Sequence, residues 1–413
     1  MNVLYVTPVL SWPAIGGPEL RVENSIKTLS RIADLHVAYR SRVTDDTARS
    51  LKSNYELICA KFLGLPSSLP AARRPVIRVI RIIERGLKKL FGYSNEIDVM
   101  MDGRFLATYC ERNNIDLVWF GYGNISYPLI HYFKRKMPGI KAVCDTDSVW
   151  SRFVLRGLPF ENSDARKKQI LKEGRKKEKE ERALIEICDV VTAVSEVDAE
   201  YYRAVSARDD TVWLFSNALD FDRYDREAVP PDGLVSPCAV ITGTYWPSSP
   251  MEKGTRWFLE EVFPIVRKQI PSAHIYIIGR GSKEVLTDVS GANITLLGEL
   301  DDVIPYLKYC NISLVPLLFE SGTRFKILEA GACETPVVST SLGAEGIPVE
   351  NGRNILIADT PQSFAEAIIS MLRDKGKADR IAKELRILIT ENYGLDRLEK
   401  EAKQIFKYLG YDT

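Results

Sequence analysis

Histidine is scarce in this chain, and its cysteines are not paired along the sequence. The three histidines show no metal-ligand spacing, so we expect them to be structural. The seven cysteines form no CxxC pair, and an odd, scattered set favours reduced thiols in a reducing compartment. We therefore predict no metal site and no disulfide framework, and we expect a cytoplasmic protein.

A long apolar run and a strong charge of one sign are also missing. The 413 residues contain no stretch long enough to span a bilayer, and the apolar start lacks the basic leader of a signal peptide. The formal net charge is only +1 with 27% charged residues, so composition gives no reason to expect nucleic acid as a partner. The length suits two domains of ordinary size.

Short apolar runs alternate with helical patterns along most of the chain, which is typical of an α/β protein with parallel sheets. Residues 229–237 interrupt the alternation with three prolines and a glycine, the composition of a linker. The pattern restarts directly afterwards. We therefore predict one Rossmann-like domain over residues 1–228 and a second over residues 238–394, followed by a last helical segment, residues 395–413.

Most of the chemistry lies in residues 319–333. A turn at Gly322 follows the apolar run 312–315 and precedes a helical pattern and the run 336–339, which together predict a βαβ unit. Ligands of such sheets bind beyond the carboxyl ends of the strands. With Thr323 as the helix cap, the first helical turn would present free N–H groups to an anion.

Three charged side chains follow this turn. Arg324 offers a fork of donors for phosphate oxygens, Lys326 a point charge, and Glu329 a carboxylate that can accept two hydrogen bonds from a cis-diol. Arg324 and Lys326 reach one ligand only if Arg324 belongs to the turn, because helical residues two apart point away from each other. The alternative is a surface pair of Lys326 and Glu329. The coincidence of turn, cations and carboxylate at a strand end favours a phosphate and ribose site.

The segments 322–330, 335–340 and 343–346 resemble glycosyltransferase family 4, the retaining, nucleotide-sugar-dependent enzymes of the GT-B fold. Within it, they are most similar to the bacterial sugar transferases of polysaccharide assembly. The resemblance implies two Rossmann-like domains facing a central cleft, with residues 395–413 crossing back to the first domain. It also implies a UDP-, GDP- or dTDP-sugar donor, no other cofactor, and a saccharide or lipid-linked acceptor.

The resemblance also assigns individual roles. The family usually has two glutamates eight positions apart, of which Glu329 matches the second, whereas Ser321 stands at the first and Glu320 just before it. Glu320 and Asp147 are the candidates for catalytic contacts with sugar or acceptor, although Asp147 and its neighbour Asp145 are also consistent with a plain turn at a strand end. The implied donor-binding residues are Gly16, Gly17, Gly243, Lys253, Gly298, Gly322, Thr323, Arg324, Lys326 and Glu329.

Two charged segments lie outside these motifs. Residues 73–91 combine apolar positions at helical spacing with a basic face that only Glu84 interrupts. Such a helix can lie on an anionic membrane, here the inner face, or it can be a core helix with a solvated basic side. The run 166–181 is instead predicted to be a solvated helix, because acidic residues interleave throughout.

Two other functions stay open. A sugar-nucleotide epimerase can use the same two-domain fold and would bind nucleotide at Arg324 and Glu329, but it would convert the donor without an acceptor. A non-catalytic partner subunit would keep the fold and lose the donor contacts. Ser321 favours that second alternative, whereas the presence of Arg324, Lys326 and Glu329 opposes it.

Overall fold

The structure, a computed structural model, describes residues 1–40, 45–68 and 96–412. The basic segment 73–91 lies outside these ranges, so the prediction of a membrane-binding helix stays a prediction. Within the described ranges the strands form two parallel sheets, of seven and six strands. The predicted α/β class with parallel sheets is confirmed.

The first sheet has the strand order β3-β2-β1-β4-β5-β6-β7. Side chains alternate between its faces, with Val3 and Tyr5 in one apolar cluster and Leu4 and Val6 in another. Burial on both faces explains why these strands are continuous apolar runs. The strands are β1 (Asn2–Thr7), β2 (Asp34–Tyr39), β3 (Lys61–Gly64), β4 (Leu117–Gly121), β5 (Lys141–Asp145), β6 (Val190–Ala193) and β7 (Val212–Leu214).

The helices between these strands return the chain to the start of the next strand, as parallel pairing requires. They are Gly17–Leu29, Asp45–Tyr55, Glu96–Arg112, Tyr127–Lys136, Trp150–Arg156, Asp164–Ile187, Glu196–Val205 and, after β7, Asp222–Asp225. Ser163 and Ser195 cap the sixth and seventh of these helices by accepting from a backbone N–H of the first turn.

The second sheet has the strand order β10-β9-β8-β11-β12-β13. The helix Phe325–Ala332, which follows the turn at Gly322, joins β11 to β12. Its strands are β8 (Cys238–Thr242), β9 (His274–Ile278), β10 (Ile294–Gly298), β11 (Ile312–Val315), β12 (Val337–Ser339) and β13 (Leu356–Ile357). The other helices of this half are Pro250–Trp257, Phe263–Gln269 after a π-turn at Phe258–Val262, Ser282–Val285, Ile304–Tyr309, Pro361–Arg373 and Lys375–Asn392.

The last helix, Leu395–Tyr408, lies on the first sheet and not on the second. Its apolar side chains Leu398 and Phe406 belong to the same buried cluster as Trp119 of β4, and the rings of Trp119 and Phe406 are 6.1 Å apart. The final helix therefore ties the end of the chain to its beginning. No helix in the described part of the chain is both long and apolar enough to cross a membrane.

Candidate active site between the two sheets

A cavity of about 540 Å³ lies between the two sheets. Many of the residues that line it end or follow the strands β1, β4, β5, β7, β8, β9, β10 and β11, so the carboxyl ends of both sheets face it. This is where parallel α/β sheets bind ligands. The first half contributes one wall, from the loop before Gly17 and from Arg21, Asp147 and Asn217, and the second half contributes the other.

The structure brings most of the predicted site residues together around this cavity. Those that line it are Gly16, Gly17, Asp147, Gly243, Glu320, Thr323, Arg324, Lys326 and Glu329. Gly298 and Gly322 lie in the backbone next to lining residues, and both have the positive φ that favours glycine, +77° and +82°. Lys253, on the helix that begins at Pro250, does not line the cavity.

Arg324 is buried in this cavity, with 4% of the residue exposed. It stands at the N-cap of the helix Phe325–Ala332 with extended backbone, so it belongs to the turn and its side chain can share a ligand with Lys326. One nitrogen donates to the carbonyl oxygen of Leu342 at 3.2 Å, but Nε and Nη1 have no partner in the described chain. Burial lowers the pKa of Arg324. Buried donors without acceptors are costly, so this guanidinium suits an anionic ligand.

Thr323 does not cap that helix, and the prediction that it does is wrong. Its hydroxyl instead accepts a hydrogen bond from the Asn217 amide of the first half. The Thr323 oxygen that would accept from a backbone N–H in an N-cap is therefore occupied by a residue across the cleft.

Lys326 and Glu329 stand on the first and second turns of the same helix. The ammonium group of Lys326 lies 3.2 Å from the thioether sulfur of Met251, a poor acceptor, and burial lowers its pKa to about 8. Burial also raises the pKa of Glu329 to about 7, while the Tyr224 hydroxyl donates to Oε1 at 3.1 Å. Burial thus disfavours the charged form of both side chains, and an anion beside Lys326 or hydrogen-bond donors beside Glu329 would favour it again.

Glu320 and Ser321 point to different partners. The Ser321 hydroxyl accepts from the backbone N–H of Val149 at 3.3 Å, which links this turn to the first half. The Glu320 carboxyl lines the cavity, and burial raises its pKa. Glu320 is therefore the acidic side chain that this turn offers to a ligand.

Asp147 faces Glu320 from the first half. Its Oδ1 accepts from the Asn124 amide at 2.8 Å and from the Trp150 indole N–H at 3.0 Å, and burial raises the pKa of the carboxyl. Neighbouring Asp145 pairs with the guanidinium of Arg21. The two aspartates therefore have separate partners.

Two residues that line the cavity, Arg21 and Asn217, were not predicted as site residues from the sequence. Arg21 is 2% exposed and donates to the carbonyl oxygens of Thr146 and Phe215, at 3.0 Å each, and to Asn217 Oδ1 at 2.8 Å. It thereby ties the loops after β5 and β7 together. The available signal was an arginine inside the apolar pattern of the helix Gly17–Leu29, which is unusual unless the charge is paired.

Behind the cavity, Arg156 of the first half joins two segments of the second. Its Nη1 donates to the Glu320 carbonyl oxygen at 2.7 Å, and both terminal nitrogens contact the Glu345 carboxylate, at 3.0 and 2.8 Å. A bidentate pair of this kind fixes orientation as well as distance. Phe160 stacks on Phe319 nearby, with ring centroids 5.1 Å apart.

Residues 237–374, most of the second half, match the family model of glycosyl transferases group 1. A stretch of 150 residues, 34% of this chain, is 29% identical to an uncharacterised 44.6 kDa protein in the cps region of Klebsiella pneumoniae. That match spans 39% of the length of this relative. The predicted resemblance to glycosyltransferases is confirmed, whereas membership of family 4 stays a prediction.

Solved structures share the fold over nearly the whole chain. HepE of Anabaena, crystallised with UDP and glucose, is 13% identical with a TM-score of 0.65, and the match covers 98% of this chain and 99% of HepE. Sucrose-phosphate synthase from Thermosynechococcus elongatus is 16% identical with a TM-score of 0.71, over 99% of both chains. At such identities the likeness speaks for the fold, and it confirms the predicted GT-B architecture.

Proposed function

We propose that this protein is a retaining glycosyltransferase that moves a sugar, a hexose or a related unit, from a nucleoside diphosphate to a saccharide or lipid-linked acceptor. The observation that carries the proposal is the guanidinium of Arg324, buried between the two sheets with two nitrogens that have no partner among the described residues. A diphosphate supplies the acceptors that this group needs. The family match of residues 237–374 supports the same reaction class.

The donor would lie against the second half of the protein. Arg324, Lys326 and the first N–H groups of the helix Phe325–Ala332 would bind the diphosphate, and Glu329 would accept from the ribose hydroxyls. The glycine turns would border the donor along the cleft. These are Gly16, Gly17, Gly243, Gly298 and Gly322, with Thr323 as a further donor-binding residue. Lys253 does not line the cavity, so its predicted contact with the donor stays a prediction. HepE, crystallised with UDP-glucose, makes UDP-sugars the first donors to test.

The reaction breaks the bond between the anomeric carbon and the diphosphate oxygen, and that oxygen then carries the developing negative charge. Arg324 and Lys326 would stabilise this charge, and closure of the two halves around the donor would exclude water from the site. The acceptor hydroxyl would attack and transfer its proton to the departing phosphate. Glu320 and Asp147 would hold sugar or acceptor hydroxyls. Retention follows from the resemblance to family 4.

The acceptor side would belong to polysaccharide assembly, as the relative in a cps region supports. We place the protein in the cytoplasm, with residues 73–91 as a contact to the anionic inner face of the membrane. Sedimentation with anionic and neutral vesicles, before and after exchange of the arginines of this segment for glutamine, tests that contact.

A thermal-shift screen tests the donor site. UDP, GDP, dTDP and their sugars are added to the wild-type protein and to Arg324→Ala, with Arg353→Ala as the matched control. Arg353 is exposed and pairs with Glu350 and Glu384, away from the cavity. We expect one nucleotide to stabilise the wild type and the control, and Arg324→Ala to weaken its binding by about tenfold or more.

Product analysis then separates the reaction classes. A transferase releases nucleoside diphosphate when acceptor is added, whereas an epimerase converts the donor without any acceptor. If no nucleotide stabilises the wild-type protein and Arg324→Ala behaves like Arg353→Ala, the proposed function is wrong.

A further inference from the structure

An exposed tryptophan lines the cavity from the first half of the protein. Trp12 lies in the loop between β1 and the helix Gly17–Leu29, and 37% of the residue is exposed. Trp119, by contrast, is fully buried, and the indole of Trp150 donates to Asp147. Trp246 also lines the cavity, but from the second half, and it is 47% exposed. A large aromatic side chain left open inside a binding cleft is a recognised feature of ligand sites.

The ring of Trp12 is held in place from behind. It meets the ring of Tyr55 edge-on at 5.4 Å, and Tyr55 stacks on Phe62 at 5.5 Å, which in turn stacks on Tyr39 at 5.3 Å. The Tyr55 hydroxyl donates to the carbonyl oxygen of Ser11 at 3.1 Å and so fixes the loop next to the indole. A side chain held in this way loses little freedom when a ligand binds to its open side.

The two walls of the cavity differ in chemistry. Arg324 and Lys326 form a positive patch on the wall of the second half, which suits a diphosphate, while Glu299, Glu320 and Glu329 line the same wall. The opposite wall has charged residues as well, Glu19, Arg21 and Asp147, but its segment Ser11–Pro13 carries no charge and presents the Trp12 ring. A pyranose has one face built largely of C–H groups, and this face packs well against a flat indole while its hydroxyls stay free for hydrogen bonds.

We propose that Trp12 is the platform on which a sugar ring of the acceptor stacks, so that the acceptor is recognised as a saccharide. This inference rests on the proposed function, because it takes the patch of Arg324 and Lys326 as the donor side. Trp12 would orient the acceptor ring without taking part in bond making.

Methyl α- and β-glycosides of glucose, galactose and N-acetylglucosamine serve as probes. Their binding is measured by saturation-transfer NMR and titration, with and without UDP. The variants are Trp12→Leu and Trp12→Phe, with Trp213→Leu as the matched control, since Trp213 packs on Tyr408 and does not line the cavity. We expect Trp12→Leu to weaken glycoside binding by about tenfold, Trp12→Phe to keep most of it, and the affinity for UDP to stay unchanged.

Three results would overturn the inference: no glycoside binds the wild-type protein, Trp12→Leu binds glycosides as well as Trp213→Leu, or Trp12→Leu weakens UDP instead. The last outcome would make Trp12 a nucleobase contact. Failure of every nucleotide to bind the wild type contradicts the proposed function, whereas loss of the glycoside effect alone contradicts only the role of Trp12.

Discussion

At the scale of single residues, burial controls the ionisation of the protein side chains that are proposed to bind the donor. Burial lowers the pKa of Lys326 to about 8 and raises that of Glu329 to about 7. The charged forms of both residues are the ones that would bind a diphosphate and a diol. In the nucleotide-free protein, protonated Lys326 and ionised Glu329 are present together mainly between about pH 7 and pH 8.

Nucleotide affinity should therefore show an optimum between about pH 7 and pH 8. As the pH rises through about 8, free Lys326 loses its proton and the diphosphate loses a cation. As the pH falls through about 7, Glu329 gains a proton and accepts more weakly from the ribose. Calorimetric titration of UDP between pH 5.5 and 9.5 would reveal both limbs.

The variant Glu329→Gln serves as the control for this pH dependence. It should weaken binding at pH 8 by about tenfold and flatten the acidic limb, apart from titration of the nucleotide phosphate itself. If the acidic limb of Glu329→Gln were as steep as that of the wild type, the limb would come from another group. Asp198 is one such group, since burial raises its pKa to about 6.

The charged residues of the motif were predictable, but their supporting partners were not. The spacing of Arg324, Lys326 and Glu329 after a turn is a local pattern, and the structure gathers all three around one cavity. Arg21 and Asn217 act through contacts with residues that are more than 100 positions away in the chain. Arg21 and Asp145, for example, are 124 positions apart. No local pattern carries such information.

At the scale of elements, the turn before the helix Phe325–Ala332 depends on one glycine. Gly322 has φ +82°, and a Cβ added there would lie 2.6 Å from the carbonyl oxygen of Asp147 and 2.9 Å from Ser148 Cβ. The left-handed backbone and the close approach of the first half therefore both require glycine.

The variant Gly322→Ala should lower the free energy of unfolding by about 1–3 kcal/mol and also weaken nucleotide binding, because the turn must move away from Asp147. Gly352 separates the two causes: its φ is +83°, but beyond its immediate chain neighbours no atom of residues 1–40, 45–68 or 96–412 lies within 4 Å of an added Cβ. Gly352→Ala thus has the backbone strain without the clash. Urea unfolding and UDP titration measure the stability and the UDP affinity of both variants. Equal losses in Gly322→Ala and Gly352→Ala would contradict this account.

Strand positions were predictable because both sheets are parallel and covered on both sides. The apolar runs 312–315 and 35–39 correspond to β11 and to all but the first residue of β2. The helix start at residue 325 was harder to place. Thr323 is the preferred cap by local chemistry, yet its hydroxyl accepts from Asn217, and the helix begins one residue later with Arg324 at the cap.

At the scale of the whole molecule, the cavity exists only while the two halves stay together. Arg156 contributes one of the links between them, through the Glu345 carboxylate and the Glu320 carbonyl oxygen, the latter directly beside the cavity. The side chains of Arg156 and Glu345 are 23% and 21% exposed, so solvent screens the pair only in part. Arg156 therefore couples closure of the cleft to the placement of Glu320, together with the contacts from Val149 to Ser321 and from Asn217 to Thr323.

Arg156→Ala should shift the nucleotide-free protein towards an open cleft, because about 1 kcal/mol of interdomain contact is lost. All seven cysteines are buried, so spin labels attached at Lys172→Cys and Lys383→Cys, one exposed site in each half, would report the separation of the halves. In double electron-electron resonance we expect longer and broader distances for Arg156→Ala, and UDP-glucose should narrow them again. Arg353→Ala, which breaks ion pairs within the second half, is the control. Identical distributions in Arg156→Ala and this control would show that Arg156 does not hold the cleft closed.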